Sequence, residues 1–450
     1  MKTTVKKSKT AHTKRLRPAA LFAAACILLL LGAGVVSAAE PGKSRHITNN
    51  PRPEELSIID AYIEKAMENN PELHSLEGDY QASRSMIPQA GALPDPEVNI
   101  AYYINPEDPE TFLGRFSVSA MQMFPWYNTR QTRQDEQSAL ADGQLYALED
   151  RQAKIAADIQ RIWFDYTALI LSVEIIREHQ ELVSDLESIV SVRYETARAG
   201  TADLLRIQME DQRLQTRILH FEDRKNTYKA RFNELVNRDA SAEIKVPDHL
   251  FERKPAFPKE EIAFRIREDN PGLDALDARE KAAAHRTELA RLEGRPDIGV
   301  GLEVMGRDFT SMSMMPDPKE GYVGMVSIRI PLYRSRYDAK IRQSLEEKRS
   351  AMHQKKELAN RLLRQMEEAF VDWRESERNR KLLDEELIPR ARQAIDVLQE
   401  EYGAGNVRFD ELLQVQRELL DLEIERINAL AMQNKAVVQI EYLYSATPGR

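Results

Sequence analysis

The thioethers of Met312, Met314 and Met315 crowd one short stretch, and thioether sulfur is a soft ligand suited to Cu(I). The surrounding Pro, Asp and Gly residues make that stretch a loop, in which flexible methionines act as filler rather than as a ligand set. Met121 and Met123 repeat at a spacing of two, which turns both side chains to one face of a strand as wall residues. The histidines, among them His74, His179, His220, His285 and His353, are scattered, and no pair has the i, i+4 spacing of a helical metal site. The chain lacks G-x-S-x-G, H-E-x-x-H and a phosphate-binding glycine loop. Runs such as Glu346-Glu347-Lys348-Arg349 are solvated helix faces. No enzyme, cofactor or metal centre is read from these residues.

The elements around them are more informative. The chain has 450 residues, 42% hydrophobic and 30% charged, enough to bury a sizeable core. One cysteine, Cys26, excludes a disulfide framework or thiolate cluster. The net charge of -9 is uneven, because Lys2, Lys6, Lys7, Lys9, Lys14, Arg15 and Arg17 lie in an N-terminal segment without acids. The remainder is strongly acidic and poor in aromatics, which argues against a nucleic-acid partner.

That basic segment, the apolar run Ala19 to Val36 and the small residues Ser37, Ala38 and Ala39 read as a secretory signal peptide over 1–39. A retained anchor and lipidation at Cys26 are the alternatives. Past residue 40 no stretch reaches the ~18 consecutive apolar residues of a spanning helix. Membrane insertion would therefore have to use strands.

Four segments alternate with a period of two: Val98, Ile100, Tyr102 and Ile104; Phe116, Val118 and Ala120; Ile298, Val300, Leu302 and Val304; Val326, Ile328 and Ile330. Loops from Asn105 to Gly114 and from Gly306 to Gly321 join them as hairpins. Strands of about ten residues match tilted outer-membrane spans. Trp126, Tyr127, Tyr333 and Tyr337 lie just past the strand ends, where interfacial aromatics sit. Four strands cannot close a barrel, so chains must pool them, or the sheet belongs to a soluble domain.

The body is written twice. Asn70-Pro71 returns as Asn270-Pro271, and Phe124-Pro125-Trp126-Tyr127 returns as Ile330-Pro331-Leu332-Tyr333. Tyr194, Asp203, Leu204, Leu205 and Gln208 return as Tyr402, Glu411, Leu412, Leu413 and Gln416. The expected layout is a first repeat over 40–245, with strands near 96–104 and 114–125 and helices near 128–196 and 202–238. A linker over 246–258 contains Pro247, Pro255 and Pro258. A second repeat over 259–446 has strands near 296–305 and 322–332 and helices near 334–402 and 409–444. Ile155, Ile159, Ile162, Tyr166, Leu169, Val173 and Ile176 alternate four and three apart, a coiled-coil seam, on a helix about 100 Å long. Leu182, Leu186 and Ile189 suggest a second seam, and Pro389 a kink.

The duplicated strands, the Pro-aromatic elements and the turns Tyr194 to Leu205 and Tyr402 to Leu413 resemble the TolC-like outer-membrane efflux proteins over nearly all of the mature chain. The resemblance implies a mostly α fold with a small β part. Each of three protomers gives four strands to one twelve-stranded barrel, continued by an antiparallel coiled-coil helical barrel in the periplasm. It implies a homotrimer in outer-membrane lipid, acting as a passive conduit for drugs or metal cations. A periplasmic adaptor and an inner-membrane pump of RND or ABC type would be its partners. A polypeptide-secretion conduit and a soluble coiled-coil adaptor are the alternatives.

By the same resemblance, Tyr402, Gly405, Arg408, Asp410 and Glu411 would form a periplasmic gate. Ala197, Gly200, Thr201, Asp203, Gly405 and Asn406 would be adaptor-contact tips, and Trp126, Tyr127 and Tyr333 membrane-interface aromatics. Arg408 sits one residue later than the family's arginine, and Gln414 replaces its second acid. Glu411, with Asp410, would form an acidic ring favouring cations, or would lie solvated on the outer face of the tip.

Overall fold

A computed structural model describes residues 54–103, 115–306 and 321–444. The leader with Cys26, the hairpin tips and Met312, Met314 and Met315 lie outside the described residues.

Two helices, α1 (Glu54–Asn69) and α2 (Pro71–Ala90), precede the strands β1 (Glu97–Tyr103) and β2 (Arg115–Phe124). The long helix α3 (Thr129–Glu195) turns into α4 (Thr201–Leu235). The second half repeats this order with α5 (Lys259–Asp269), α6 (Pro271–Leu292), β3 (Asp297–Gly306) and β4 (Gly321–Arg329). There follow α7 (Arg334–Leu382), a π turn (Leu383–Leu387), α8 (Ile388–Ala404) and α9 (Phe409–Leu443). The fold is thus mostly helical with one small sheet.

The repeated Asn-Pro pair shows why the halves fold alike. Proline fixes φ at the first helical position, and the preceding asparagine caps the helix. Asn70 Oδ1 accepts from the Glu72 and Leu73 amides at 2.9 and 3.3 Å, while its Nδ2 donates to the Leu235 carbonyl at 2.8 Å. Asn270 Oδ1 accepts from the Leu273 amide at 3.3 Å, and its Nδ2 donates to the Leu443 carbonyl at 2.9 Å. Each buried amide therefore starts one helix and satisfies the end of another.

The sheet is antiparallel in the order β1-β2-β3-β4, so the two hairpins join through β2 and β3. The register puts Val98, Ile100, Val118, Val300, Leu302, Val326 and Ile328 on one face, and Asn99, Ser117, Ser119, Glu303 and Ser327 on the other. The apolar face is the bare one: Val326 is 74% exposed and Ile100 67%. Among the described residues no helix is long and apolar enough to cross a membrane.

Helix α3 packs on α4, α6 and α9. Trp163, Phe164 and Tyr166 bury against α1, α4 and the segment around Leu250. Nearer the turns, Ile176, Val183, Leu186 and Val190 meet Ile207, Leu214, Ile395, Leu413 and Leu420. Of Leu182, Leu186 and Ile189, only Leu186 is in this core; Leu182 and Ile189 are exposed on the single chain. At Pro389 the helix continues past an irregular turn. The Ile388 amide donates to the Leu383 carbonyl in a π turn immediately before the proline, and the added residue accommodates a ring that lacks an N–H and would crowd the preceding turn.

Candidate functional site

The two helix-to-helix turns carry the candidate site, and each is shaped by local backbone chemistry. After α3, Ala197 takes a left-handed φ of 54°, and the amides of Arg198 and Ala199 fold back onto the Arg193 carbonyl at 2.7 and 3.1 Å. Gly200 precedes α4, with Asp203 Oδ2 accepting its amide at 3.4 Å, and Thr201 opens the helix. After α8, Gly405 adopts φ 84°, a conformation that suits glycine, and the Asn406 amide donates to the Glu401 carbonyl at 3.0 Å. A Cβ on Gly405 would meet nothing within 4 Å, so conformation and not space demands the glycine.

Tyr402 joins the turns. Its ring is buried, 5.5 Å from that of Phe409. The guanidinium of Arg193 stacks 4.5 Å from its centroid and donates through an Nη to the Tyr402 carbonyl at 2.5 Å. Among the described residues the buried hydroxyl has no hydrogen-bond partner. Burial, opposed by Arg193 and reinforced by Asp203, pushes its pKa up.

Arg408, fully in solvent, reaches across two residues to Asp410 at 2.5 and 3.0 Å and lies 3.7 Å from Glu411. The hydrogen bond from Arg408 holds the Asp410 carboxyl below its usual range. The acids expected to act together thus differ: Asp410 is tied to a cation, whereas Glu411 is more exposed and more distant from it. Gln414 faces solvent beside them.

Sequence reasoning missed the ties holding α9 in place. Glu210, buried on α4, accepts from Arg417 at 2.5 and 2.7 Å, and Arg217 reaches Asp421 at 2.8 Å. Glu423 accepts from Arg392 at 2.6 Å and contacts His179 at 2.9 Å. Burial opposes the charged form of Glu423, but the hydrogen bonds from His179 and Arg392 outweigh it and lower its pKa. These partners stand far apart in the chain, so only the phases of the helices could have hinted at them.

At the strand ends Trp126, Tyr127 and Tyr333 are all exposed. The Trp126 amide donates to Asp297 Oδ1 at 3.1 Å, fixing the strand-to-helix corner. Among the described residues no group of three or more His, Cys, Asp or Glu side chains could hold a metal ion.

A family model described as outer membrane efflux protein matches residues 264–444. That region is similar to the outer membrane efflux proteins. Beyond it, likeness to solved structures shows a shared fold over most of the chain. The outer-membrane channel OprN matches with a TM-score of 0.76 at 14% identity, covering 88% of this chain and 93% of its own. VceC, an outer membrane protein of Vibrio cholerae, gives 0.75 at 12% identity, with 86% and 96% covered. The CmeC outer membrane channel of Campylobacter jejuni gives 0.75 at 10% identity, with 87% and 86% covered. No curated protein matches the chain in sequence. The second half of the chain thus matches the efflux-protein model, and the chain as a whole shares the fold of these channel structures.

Proposed function

We propose that the protein is the outer-membrane conduit of a tripartite efflux system, a homotrimer carrying small solutes outward without energy input of its own. The observation carrying this reading is the sheet. Its exposed face is apolar, its opposite face carries Ser, Asn and Glu, and four strands leave β1 and β4 as edges that need neighbours. Three such sheets closing on one another would present the apolar face to lipid and remove every edge. Trp126, Tyr127 and Tyr333 would then stand at the lipid boundary. The leader over 1–39 would direct export, and the repeats over 40–245 and 259–446 would each supply one hairpin and one helix pair.

The helix turns would close the periplasmic end. Arg193, stacked on Tyr402, ties the first turn to the second, while Arg408, Asp410 and Glu411 place one net negative charge per protomer beside it. Ala197, Gly200, Thr201, Asp203, Gly405 and Asn406 would meet a periplasmic adaptor, through which an inner-membrane pump supplies the driving force. Electron microscopy of detergent-extracted protein should show a threefold cylinder capped by a short barrel. A monomer that dissolves in plain buffer would overturn the reading.

A further inference from the structure

Side chains facing the interior of a membrane barrel are ordinarily polar. Here Met121, Met123, Met305 and Met325 all lie on the face opposite Val98, Ile100, Val326 and Ile328, where the conduit reading puts the lumen. Met121 stands opposite Gly301, and Gly301 opposite Met325, so two thioethers flank a position without a side chain. Met123 stands opposite Gly299. A Cβ on Gly299 would lie 2.5 Å from Met123 Sδ and 3.5 Å from Met121 Sδ, so both sulfurs converge over that glycine. Met123 is 8% exposed, and Met121 and Met325 beside it are half-buried. Glu97 is paired with Met121 in the register, and Glu303 follows Gly301 by two residues on the same face, adding negative charge beside the sulfurs.

We propose that Met121 and Met123, with Met325 across Gly301, form a thioether contact site for a soft monovalent cation, Ag(I) or Cu(I), on the wall of the conduit. The proposal rests on the conduit reading and narrows its cargo. Thioether sulfur selects soft cations over Mg(II), Ca(II) or Na(I), and being uncharged it releases them again, as a passage site must. The carboxylates nearby would raise the local cation concentration without having to coordinate. The competing account is packing, in which the methionines merely fill the space that Gly299 and Gly301 leave.

Silver, stable without a reductant, is the probe. Full-length protein in detergent is first confirmed as a trimer by electron microscopy, then titrated with Ag(I) by calorimetry and examined by X-ray absorption at the silver edge. Wild type should bind silver with sulfur neighbours. Met121→Leu/Met123→Leu, which preserves apolar volume, should weaken binding by roughly tenfold or more. Met86→Leu/Met352→Leu, at exposed helical positions, should not. Equal silver binding by wild type and the Met121→Leu/Met123→Leu trimer would overturn the site while leaving the conduit standing. Should the double variant fail to assemble, Met325→Leu and Met123→Leu alone are compared in the same way, and unchanged affinity in both is the same refutation. Failure of wild type to form a trimer would overturn the conduit reading itself.

Discussion

The guanidinium of Arg193, near the end of α3, stacks on the ring of Tyr402, near the end of α8, and hydrogen bonds to that residue's carbonyl. One side chain thus couples the two helical hairpins at their turns. Arg193→Ala should loosen this end, raising conductance in planar bilayers and speeding amide exchange in both turns. Unchanged current and exchange would remove Arg193 from the closure.

Among the described residues the buried Tyr402 hydroxyl has no hydrogen-bond partner, so the coupling to Arg193 runs through the ring and the backbone carbonyl. Tyr402→Phe should be neutral or slightly stabilising, whereas Tyr402→Ala should cost about 3–5 kcal/mol for the lost ring. Denaturant melts of the two variants would separate these outcomes. A marked loss in Tyr402→Phe would show that the hydroxyl is bonded after all.

Charge at the turn should set ion preference through Glu411 more than through Asp410, which Arg408 already neutralises. Glu411→Gln should reduce cation preference, and Arg408→Ala should increase it. Reversal potentials in a salt gradient give both signs. If both variants match wild type, these side chains lie outside the ion path.

Acid should release α9 in a defined window. Because the Glu423 pKa is lowered from 4.5, the stability it contributes is fully present above that value and is lost as pH falls below it, through the depressed folded-state pKa. Glu423→Gln should cost about 1–3 kcal/mol near neutrality. It should also flatten the acid limb of stability against pH. An acid limb of unchanged steepness would mean that other carboxylates dominate it.

The two helix-capping asparagines should respond alike. Asn70→Ala and Asn270→Ala each remove a cap and strand the carbonyl at the end of another helix, a loss of about 1–3 kcal/mol apiece. Thermal unfolding checks this. A large effect at one site with none at the other would break the equivalence of the halves.

Much of this architecture was legible in the residues. Alternation in Ile298 to Val304 fixed which side chains share a face, and the spacing of Ile155 to Ile176 marked a buried seam, because both depend on local periodicity. The repeated Asn-Pro announced a cap, but not the second bond each asparagine makes to a carbonyl far along the chain. The Arg193–Tyr402 contact was equally hidden, since it depends on how two distant helices are rotated. Pro389 told only part of its story: a proline signals a lost hydrogen bond, while the added residue in the π turn before it leaves no trace in composition.

The sheet's two outer strands carry a consequence for biogenesis. A solitary chain would travel with sticky flanks and an oily panel uncovered, so its survival before assembly would depend on escort and on meeting sister copies quickly. If three copies assemble as proposed, yield should climb more steeply than expression level, because each orphan lost to clumping would also deprive two others of their complement.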